Sequence, residues 1–206
     1  MCIVVIIVVV IILLIISSLL STSNPIIVPE TFNNINCYRS ENQAITYNNN
    51  PLKFMKIGRY RIRGIGTRTN KFPNGLISIG TSICTQLDNN GRKITNNINH
   101  YDGRTKQFMH NAKNTIEYRI DPYGRLYTWR YTYVDGKLAS TRNGVATSIT
   151  PNRIIFDAQG SLFKTGEHHE DIKIILQKLS QNKYQVSLYV DDVNLVDDKT
   201  YTFIGK

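Results

Sequence analysis

The sequence predicts an all-β protein, an antiparallel sandwich or barrel, behind a single N-terminal transmembrane helix. Apolar residues recur at every second position over most of the chain beyond residue 52, which is the period of a strand with one buried face. Short turns rich in Gly, Asn, Asp and Pro separate these stretches. Residues 1–20 contain no charged side chain. We therefore divide the chain into a transmembrane anchor (1–21), a stalk or extended lead-in (22–52) and a β-rich ectodomain (53–206).

The N-terminal segment predicts a membrane anchor. As a helix it would extend for roughly 30 Å, enough to cross the hydrocarbon core of a bilayer. A cleaved signal peptide is the alternative, because Ser21, Thr22 and Ser23 are small residues suited to cleavage. The absence of basic residues before the apolar stretch, and its length, favour the anchor. We expect a single-pass membrane protein with the ectodomain outside and residues 2–20 in the bilayer.

The first strands follow a stalk marked by Pro25, Pro29 and runs of Asn. Alternation over residues 58–66 places Tyr60 and Ile62 on one face of a strand and three arginines on the other. Residues 76–85 repeat the pattern, so a second strand is expected there. The stretch from residue 91 to residue 111 is polar and predicts irregular structure.

The second half of the ectodomain predicts a meander of short strands. Residues 114–120 and 125–134 alternate on either side of a turn at 121–124, and hairpin turns are expected at Asp135-Gly136 and Asn143-Gly144. Two short strands, 153–156 and 161–164, are expected around the turn 158–160. Residues 171–179 and 184–190 predict a hairpin, and 200–204 a final strand. The total is about eight to ten strands, typical of a sandwich or barrel.

Basic residues are concentrated in the first half of the chain. The formal net charge is +10, and no acidic residue occurs from Asn42 to Leu87. We predict a basic stripe that binds an acidic lipid surface, an acidic glycan or an acidic partner protein. The alternatives are a solvated edge, or pairing with Asp191-Asp192 and Asp197-Asp198 within the fold. The basic stripe consists of Lys53, Lys56, Arg59, Arg61, Arg63, Arg68 and Lys71.

Four aromatic residues share one face of the predicted strand at 125–134: Tyr127, Trp129, Tyr131 and Tyr133. The opposite face carries Thr128, Arg130 and Thr132, so the aromatic row is predicted to belong to the core. An exposed platform for sugar stacking is the alternative.

The remaining patterns give no enzymatic or metal site. His168 and His169 are adjacent and would point to opposite faces of a strand, so no metal site is predicted there. No hydrolase, phosphate-loop or zinc motif is present, so we expect a binding protein without cofactor, and no nucleic-acid partner. Cys37 and Cys84 predict one disulfide in an exported domain, with two free thiols as the alternative. The chain contains no N-x-Ser/Thr glycosylation site.

In layout the chain resembles the 19 kDa per os infectivity factor family of baculoviruses and nudiviruses, which are envelope proteins of the occlusion-derived virion. The resemblance is carried by the uncharged anchor 2–20, the stretch 66–85 and the aromatic strand 127–133. It implies a structural component of an envelope complex, assembled with other membrane-anchored envelope proteins and required for oral infection of insect midgut cells. It implies no catalytic residue. A secreted or anchored glycan-binding β module is the alternative.

Overall fold

Residues 50–206 form a closed β-barrel of ten antiparallel strands in the computed structural model, which describes these residues. Each strand pairs with its neighbours in sequence, and the first strand pairs with the last. The all-β antiparallel prediction is confirmed, and the barrel is the form observed. The strands are β1 (Gly58–Gly66), β2 (Leu76–Gln86), β3 (Arg92–Asp102), β4 (Phe108–Ile120), β5 (Leu126–Val134), β6 (Lys137–Thr150), β7 (Arg153–Ser161), β8 (His168–Ser180), β9 (Lys183–Val190) and β10 (Asn194–Gly205).

The predicted anchor, and the predicted stalk as far as residue 49, lie outside the described residues. Between residues 50 and 206 the structure contains no helix with the length and hydropathy needed to cross a membrane.

Several hairpins form where the sequence predicts them. β8 and β9 pair with Ile174 opposite Leu188, as the alternation of both segments requires. The turn between β5 and β6 has positive φ at Asp135 (49°) and Gly136 (79°), the backbone conformation of a type I′ turn. These turns were predictable because the local residues alone determine the turn type.

Two predicted turns are wrong because their glycines lie inside strands. Asn143-Gly144 is part of β6, where a Cβ on Gly144 would lie 2.6 Å from the Cβ of Ala158 on β7. That glycine lets two strands approach each other instead of reversing the chain. The predicted turn at 158–160 lies within a continuous β7 and corresponds to a β-bulge between Ala158 and Gly160.

The predicted irregular stretch at 91–111 is also wrong, because most of it forms β3 and the start of β4. Ile94, Asn96, Ile98 and His100 alternate into the barrel and are all buried. Because two of these four interior residues are polar, hydrophobic periodicity did not reveal the strand.

The interior is apolar in the half where β1 begins, which we call the lower end. Residues 50–57 close this end, with Leu52 and Met55 fully buried and Arg92 Nε donating to the Met55 carbonyl oxygen at 3.1 Å. Tyr184 stacks on Tyr201 with 4.7 Å between ring centroids. Each large apolar side chain buried here contributes about 1.5–3 kcal/mol.

The opposite, upper end is polar inside. The β7–β8 loop, residues 162–167, lies near the β1–β2 loop at this end, because Thr69 Oγ1 donates to the Lys164 carbonyl oxygen at 2.8 Å. Phe72 and Phe163 pack against each other, with ring centroids 5.6 Å apart. The two loops together fix the Lys164 backbone at the upper end of the interior.

Candidate functional site

The predicted basic stripe lies outside the barrel. On β1 the buried Tyr60 and Ile62 alternate with exposed Arg59, Arg61 and Arg63, so the three arginines share the outer face of one strand. The other four residues lie at the two ends of this strand. Lys53 and Lys56 are at the lower end and Arg68 and Lys71 are in the β1–β2 loop. The structure thus orders the stripe along the length of β1, with the arginines at its centre.

Exposed isoleucines accompany these arginines. Arg63 is paired with Ile79 and Arg59 with Ile83, and the two isoleucines keep about half of their surface exposed, 47% and 52%. The residues paired with Arg61 are Thr81 on β2 and Thr202 on β10. The outer face of β1 and β2 is therefore both basic and apolar.

The acidic pairs proposed as internal partners do not neutralise this face. Asp197 turns into the barrel, and Asp198 accepts hydrogen bonds from Gln185 and Ser187. Asp192 forms an ion pair with Lys173, at 2.6 Å. Arg59 Nη2 donates to the main-chain oxygen of Lys206 at 3.3 Å. Among residues 50–206 no Asp or Glu side chain forms an ion pair with Arg59, Arg61 or Arg63. The charges of Arg61 and Arg63 are available to a partner.

The prediction that the aromatic row belongs to the core is wrong. Leu126, Thr128 and Thr132 of β5 are buried inside the barrel, so Tyr127, Trp129, Tyr131 and Tyr133 lie on the outer face, half-buried. Tyr127 and Trp129 contact each other at 5.7 Å between ring centroids. The inward face of β5 carries Thr128, Arg130 and Thr132, and the neighbouring side chains in the upper half of the barrel are also polar.

Cys84 is a free thiol, fully buried in the lower half of the barrel. The predicted disulfide to Cys37 is not seen within the described part of the chain, and Cys37 lies outside it. Cys84 points inward on β2 beside the apolar core, and burial raises its thiol pKa to about 11. The side chain acts here as a small core residue.

The second feature is a cavity inside the upper half of the barrel, with a volume of about 40 Å³. Its wall includes four lysine and arginine side chains from four different elements: Arg130 on β5, Arg142 on β6, Lys164 in the β7–β8 loop and Lys199 on β10. One carboxylate, Asp197, faces them.

Two inward-facing glycines on β1 make room for the lysines. A Cβ on Gly66 would lie 2.2 Å from Lys164 Nζ, and a Cβ on Gly64 would lie 2.6 Å from Lys199 Cγ. β1 pairs Gly64 with Lys199 and Gly66 with Asp197. The sequence Gly64-Ile65-Gly66 therefore leaves the inner wall of β1 without side chains at the level of the lysines.

The carboxylate of Asp197 accepts a hydrogen bond from each of the two lysines. Lys164 Nζ donates to Asp197 Oδ1 at 2.6 Å, and Lys199 Nζ donates to the second oxygen, Oδ2. Burial and the nearby Arg130 guanidinium lower the pKa of Lys164 to about 7. Burial, with the positive charges of Lys164, Arg130 and Arg142, lowers the pKa of Lys199 well below its usual range. One carboxylate thus does not offset the positive charge of this region.

The two arginines have no carboxylate partner among the described residues. Arg130 Nε donates to Thr132 Oγ1 at 3.3 Å. No described residue accepts a hydrogen bond from the buried Nε of Arg142. Burial, and then the positive charge of Arg130, lower the pKa of Arg142. The guanidinium groups retain donors that the protein itself does not use.

Neutral polar groups complete the wall. Ser78 Oγ and His100 Nδ1 form a hydrogen bond at 3.0 Å, and burial lowers the pKa of His100 to about 2, so this ring is neutral. The His110 ring lies 4.8 Å from that of His100 between centroids. The side-chain oxygen of Asn114 is buried without a donor from residues 50–206.

Sequence reasoning missed this cavity. Arg130, Arg142 and Lys164 are far from one another in the chain and far from the pair Asp197 and Lys199 on β10. Their shared position inside the barrel follows only once the barrel is known. One pattern in the sequence could have indicated it. Arg130 lies between Thr128 and Thr132 on one face of β5, so a charged residue shares the face that points into the barrel. No group of three or more His, Cys, Asp or Glu residues in the described range could hold a metal ion.

Comparisons with known proteins give distant structural similarities. No family model and no curated protein matches the chain. The structure of Rv2717c from M. tuberculosis is similar over 75% of this chain and 98% of that chain, with 13% identity and a TM-score of 0.47. A redesigned β-barrel, mFAP0, bound to DFHBI, is similar over 71% of this chain and 96% of that chain, with 10% identity and a TM-score of 0.35. These similarities are too distant to bear on function.

Proposed function

We propose that the chain is a binding protein, held at a membrane by residues 1–21, that uses the basic outer face of β1 to engage an acidic partner protein. The observation that carries this proposal is the row Arg59, Arg61 and Arg63, three exposed arginines that form no ion pair with an Asp or Glu side chain of residues 50–206. The exposed Ile79 and Ile83 beside them add apolar area that a protein partner would bury. Interfaces combine these features, since arginine and apolar side chains together give affinity and orientation.

The resemblance to the 19 kDa per os infectivity factor family suggests which partner this is. In that setting the protein is a structural component of a virion envelope complex needed for oral infection of midgut cells, and its partner is another membrane-anchored envelope protein. The ectodomain would lie outside the envelope, where β1 is accessible to such a partner. The proposal assigns no catalysis to the chain.

The test compares two charge-reversal variants of the full chain. The β1 variant combines Arg61→Glu and Arg63→Glu and reverses the charge at the centre of the basic face. The control variant combines Lys113→Glu and Arg153→Glu and makes the same charge change at exposed residues of β4 and β7. Crosslinking in native envelopes, followed by recovery of the chain, should give envelope partners for the wild type and the control but not for the β1 variant. Equal recovery from all three proteins, with unchanged melting temperatures, would contradict the proposal. Recovery of lipid or sulfated glycan in place of a protein would mean that the basic face binds that ligand and not a partner protein.

A glycan-binding module is the second candidate, and the outward position of the aromatic row favours it. Tyr131 and Tyr133 lie on the same outer face as Trp129, an arrangement on which sugar rings can stack. Titration with soluble oligosaccharides would then quench the fluorescence of Trp129, the one tryptophan in the chain. Substituting Tyr131→Ala should weaken that response. An unchanged spectrum across neutral and sulfated oligosaccharides would remove this candidate.

A further inference from the structure

We propose that the cavity in the upper half of the barrel binds a small oxyanion, a phosphate group, between Arg130 and Arg142 on one side and Lys164 and Lys199 on the other. This site is separate from the basic outer face of β1, because its side chains point into the barrel. The inference therefore does not depend on the proposed function.

The charges that line the cavity are unbalanced. Four lysine and arginine side chains line the cavity and one carboxylate faces them. Asp197 is already used by Lys164 and Lys199, one lysine on each oxygen. Neither arginine has a carboxylate partner among residues 50–206. The Nε of Arg142 is buried. A buried donor is costly unless it is paired, so an anion entering this space would supply the missing partner.

The two guanidinium groups belong to directly paired residues of neighbouring strands. Arg130 and Arg142 are directly paired across β5 and β6 with both side chains turned inward. Like charges at directly opposed positions destabilise a sheet. An oxyanion removes that repulsion, because each guanidinium can donate two parallel hydrogen bonds to phosphate oxygens. The unused Nε of Arg142 is one such donor.

Two hydroxyl side chains line the cavity beside the two arginines. Thr132 and Ser140 are paired directly above the two arginines, and both are buried with their side chains toward the cavity. Hydroxyl groups can donate to an anion, whereas the apolar residues that fill the lower half cannot. The cavity wall thus offers hydroxyl donors beside the positive charge.

The cavity has room for a small group and an opening to solvent. Its 40 Å³ would hold roughly three water molecules. Arg130 and Arg142 point inward but remain partly exposed, so solvent reaches their side chains. Ser161 and the half-buried Phe163 line the same space near the upper end. A phosphate could therefore enter free, or as the terminal group of a monoester whose remainder stays at the opening.

Binding should also depend on pH. The pKa of Lys164 is about 7, and a bound anion would raise that pKa by favouring the ammonium form. The charged groups facing Lys164 are Asp197 and Lys199 on β10 and Arg130 and Arg142 on β5 and β6, and the neutral His100 and His110 face it from β3 and β4. The contribution of Lys164 to the affinity should thus be full below pH 7 and fall as the pH rises above this value, whereas the second ionisation of the phosphate acts in the opposite direction. Comparison of the wild type with Lys164→Met at each pH separates the two effects.

The decisive experiment is calorimetric titration of the full chain, in a non-ionic detergent and a phosphate-free buffer, with inorganic phosphate and separately with hexyl phosphate. Saturable binding of both indicates a site for the free ion. Binding of hexyl phosphate alone indicates a site for a phosphate headgroup with an apolar tail. If neither binds at millimolar concentration, the proposal is wrong.

Variants locate the site. Arg142→Gln should weaken binding tenfold or more, because a charge-assisted hydrogen bond is lost. The matched control is Arg61→Gln, which removes one arginine from the outer face of β1 and should leave the affinity unchanged. Equal affinity in the Arg142→Gln and wild-type proteins would overturn the assignment to the cavity. If Arg142→Gln does not fold, Ala112→Leu fills the same cavity from β4 without changing charge, and it should abolish binding.

Discussion

Asp197 binds the two lysines Lys164 and Lys199, one on each carboxylate oxygen, although the lysines come from different elements of the barrel. Lys199 is two residues away on the same inward face of β10, whereas Lys164 reaches it from the β7–β8 loop. The contact therefore ties that loop to the strand that closes the barrel. Within the described barrel, Asp197 is the one carboxylate that forms ion pairs in the interior.

Substitution of Asp197→Asn should destabilise the fold by about 3–5 kcal/mol, since breaking a buried ion pair leaves uncompensated charge. Urea unfolding of the purified chain measures this change. The matched control is Asp198→Asn, the next residue, which faces outward and accepts hydrogen bonds from Gln185 and Ser187. The control should lose about 1–2 kcal/mol. Equal losses would mean that the lysines do not need the Asp197 charge.

Stability should rise with pH between 7 and 8.5. The folded-state pKa of Lys164 is about 7, whereas its ordinary value is 10.5, so the unfolded chain binds more protons than the folded chain above pH 7. The burial penalty on this group is full below pH 7 and diminishes as the pH rises toward 10.5. Above about pH 8.5 the raised pKa values of Cys84 and Tyr60 act in the opposite direction. The Lys164→Met variant should show a smaller slope in urea unfolding over the same window, and an unchanged slope would exclude Lys164 as the cause.

The two inward glycines of β1 should differ in their tolerance of a methyl group. In Gly64→Ala the new Cβ would meet the Asp198 carbonyl oxygen at 2.4 Å, and this backbone atom cannot move without disturbing β10. In Gly66→Ala it would meet Lys164 Nζ, the end of a long side chain that can shift while it keeps its ion pair with Asp197. We expect a loss of about 3 kcal/mol for Gly64→Ala and about 1 kcal/mol for Gly66→Ala. Thermal unfolding of both variants gives the order, and the reverse order would contradict the packing described for β1.

The buried thiol of Cys84 should be inert in the folded protein. Burial raises its pKa to about 11, so little thiolate is present at neutral pH and the sulfur is enclosed by the core. A thiol reagent should label it in urea but not in buffer, with labelling resolved by mass spectrometry of the peptide that contains residue 84. Cys84→Ser should destabilise by about 1–3 kcal/mol, because a buried hydroxyl would need a hydrogen-bond partner. Rapid labelling in buffer would show that β2 opens or that the thiol is accessible.

Strands with apolar interiors were predictable from the sequence. The β8–β9 hairpin follows from alternation alone, because its buried residues are mostly isoleucine, leucine and valine. β2 was placed by the same alternation, but its isoleucines lie on the outer face and its buried residues are Leu76, Ser78, Ser82 and Cys84. β3 was missed for the opposite reason, since Asn96 and His100 occupy interior positions. The polar upper half of the barrel therefore concealed both a strand and the cavity that it helps to form.

The orientation of β5 could not be predicted from its own residues. Period two divides the strand into an aromatic face and a face with Thr128, Arg130 and Thr132, but it does not say which face is inside. Hydrophobicity favoured the aromatic face. Which face of β5 points inward depends instead on residues of β4, β6 and β10, whose polar side chains surround Arg130. The outward Arg59, Arg61 and Arg63 were placed correctly because their alternate residues, Tyr60 and Ile62, are plainly apolar.

The pairing of β1 with β10 has a consequence for how any partner can be recognised. Since every strand of the described barrel has a neighbour on both sides, the sheet offers no unpaired backbone edge to which a further strand could be added. A partner must therefore bind side chains on the outer face of the barrel, the loops at its two ends or the cavity inside it. The same closure protects a Tyr- and Asn-rich sequence from joining other copies edge to edge into fibrils.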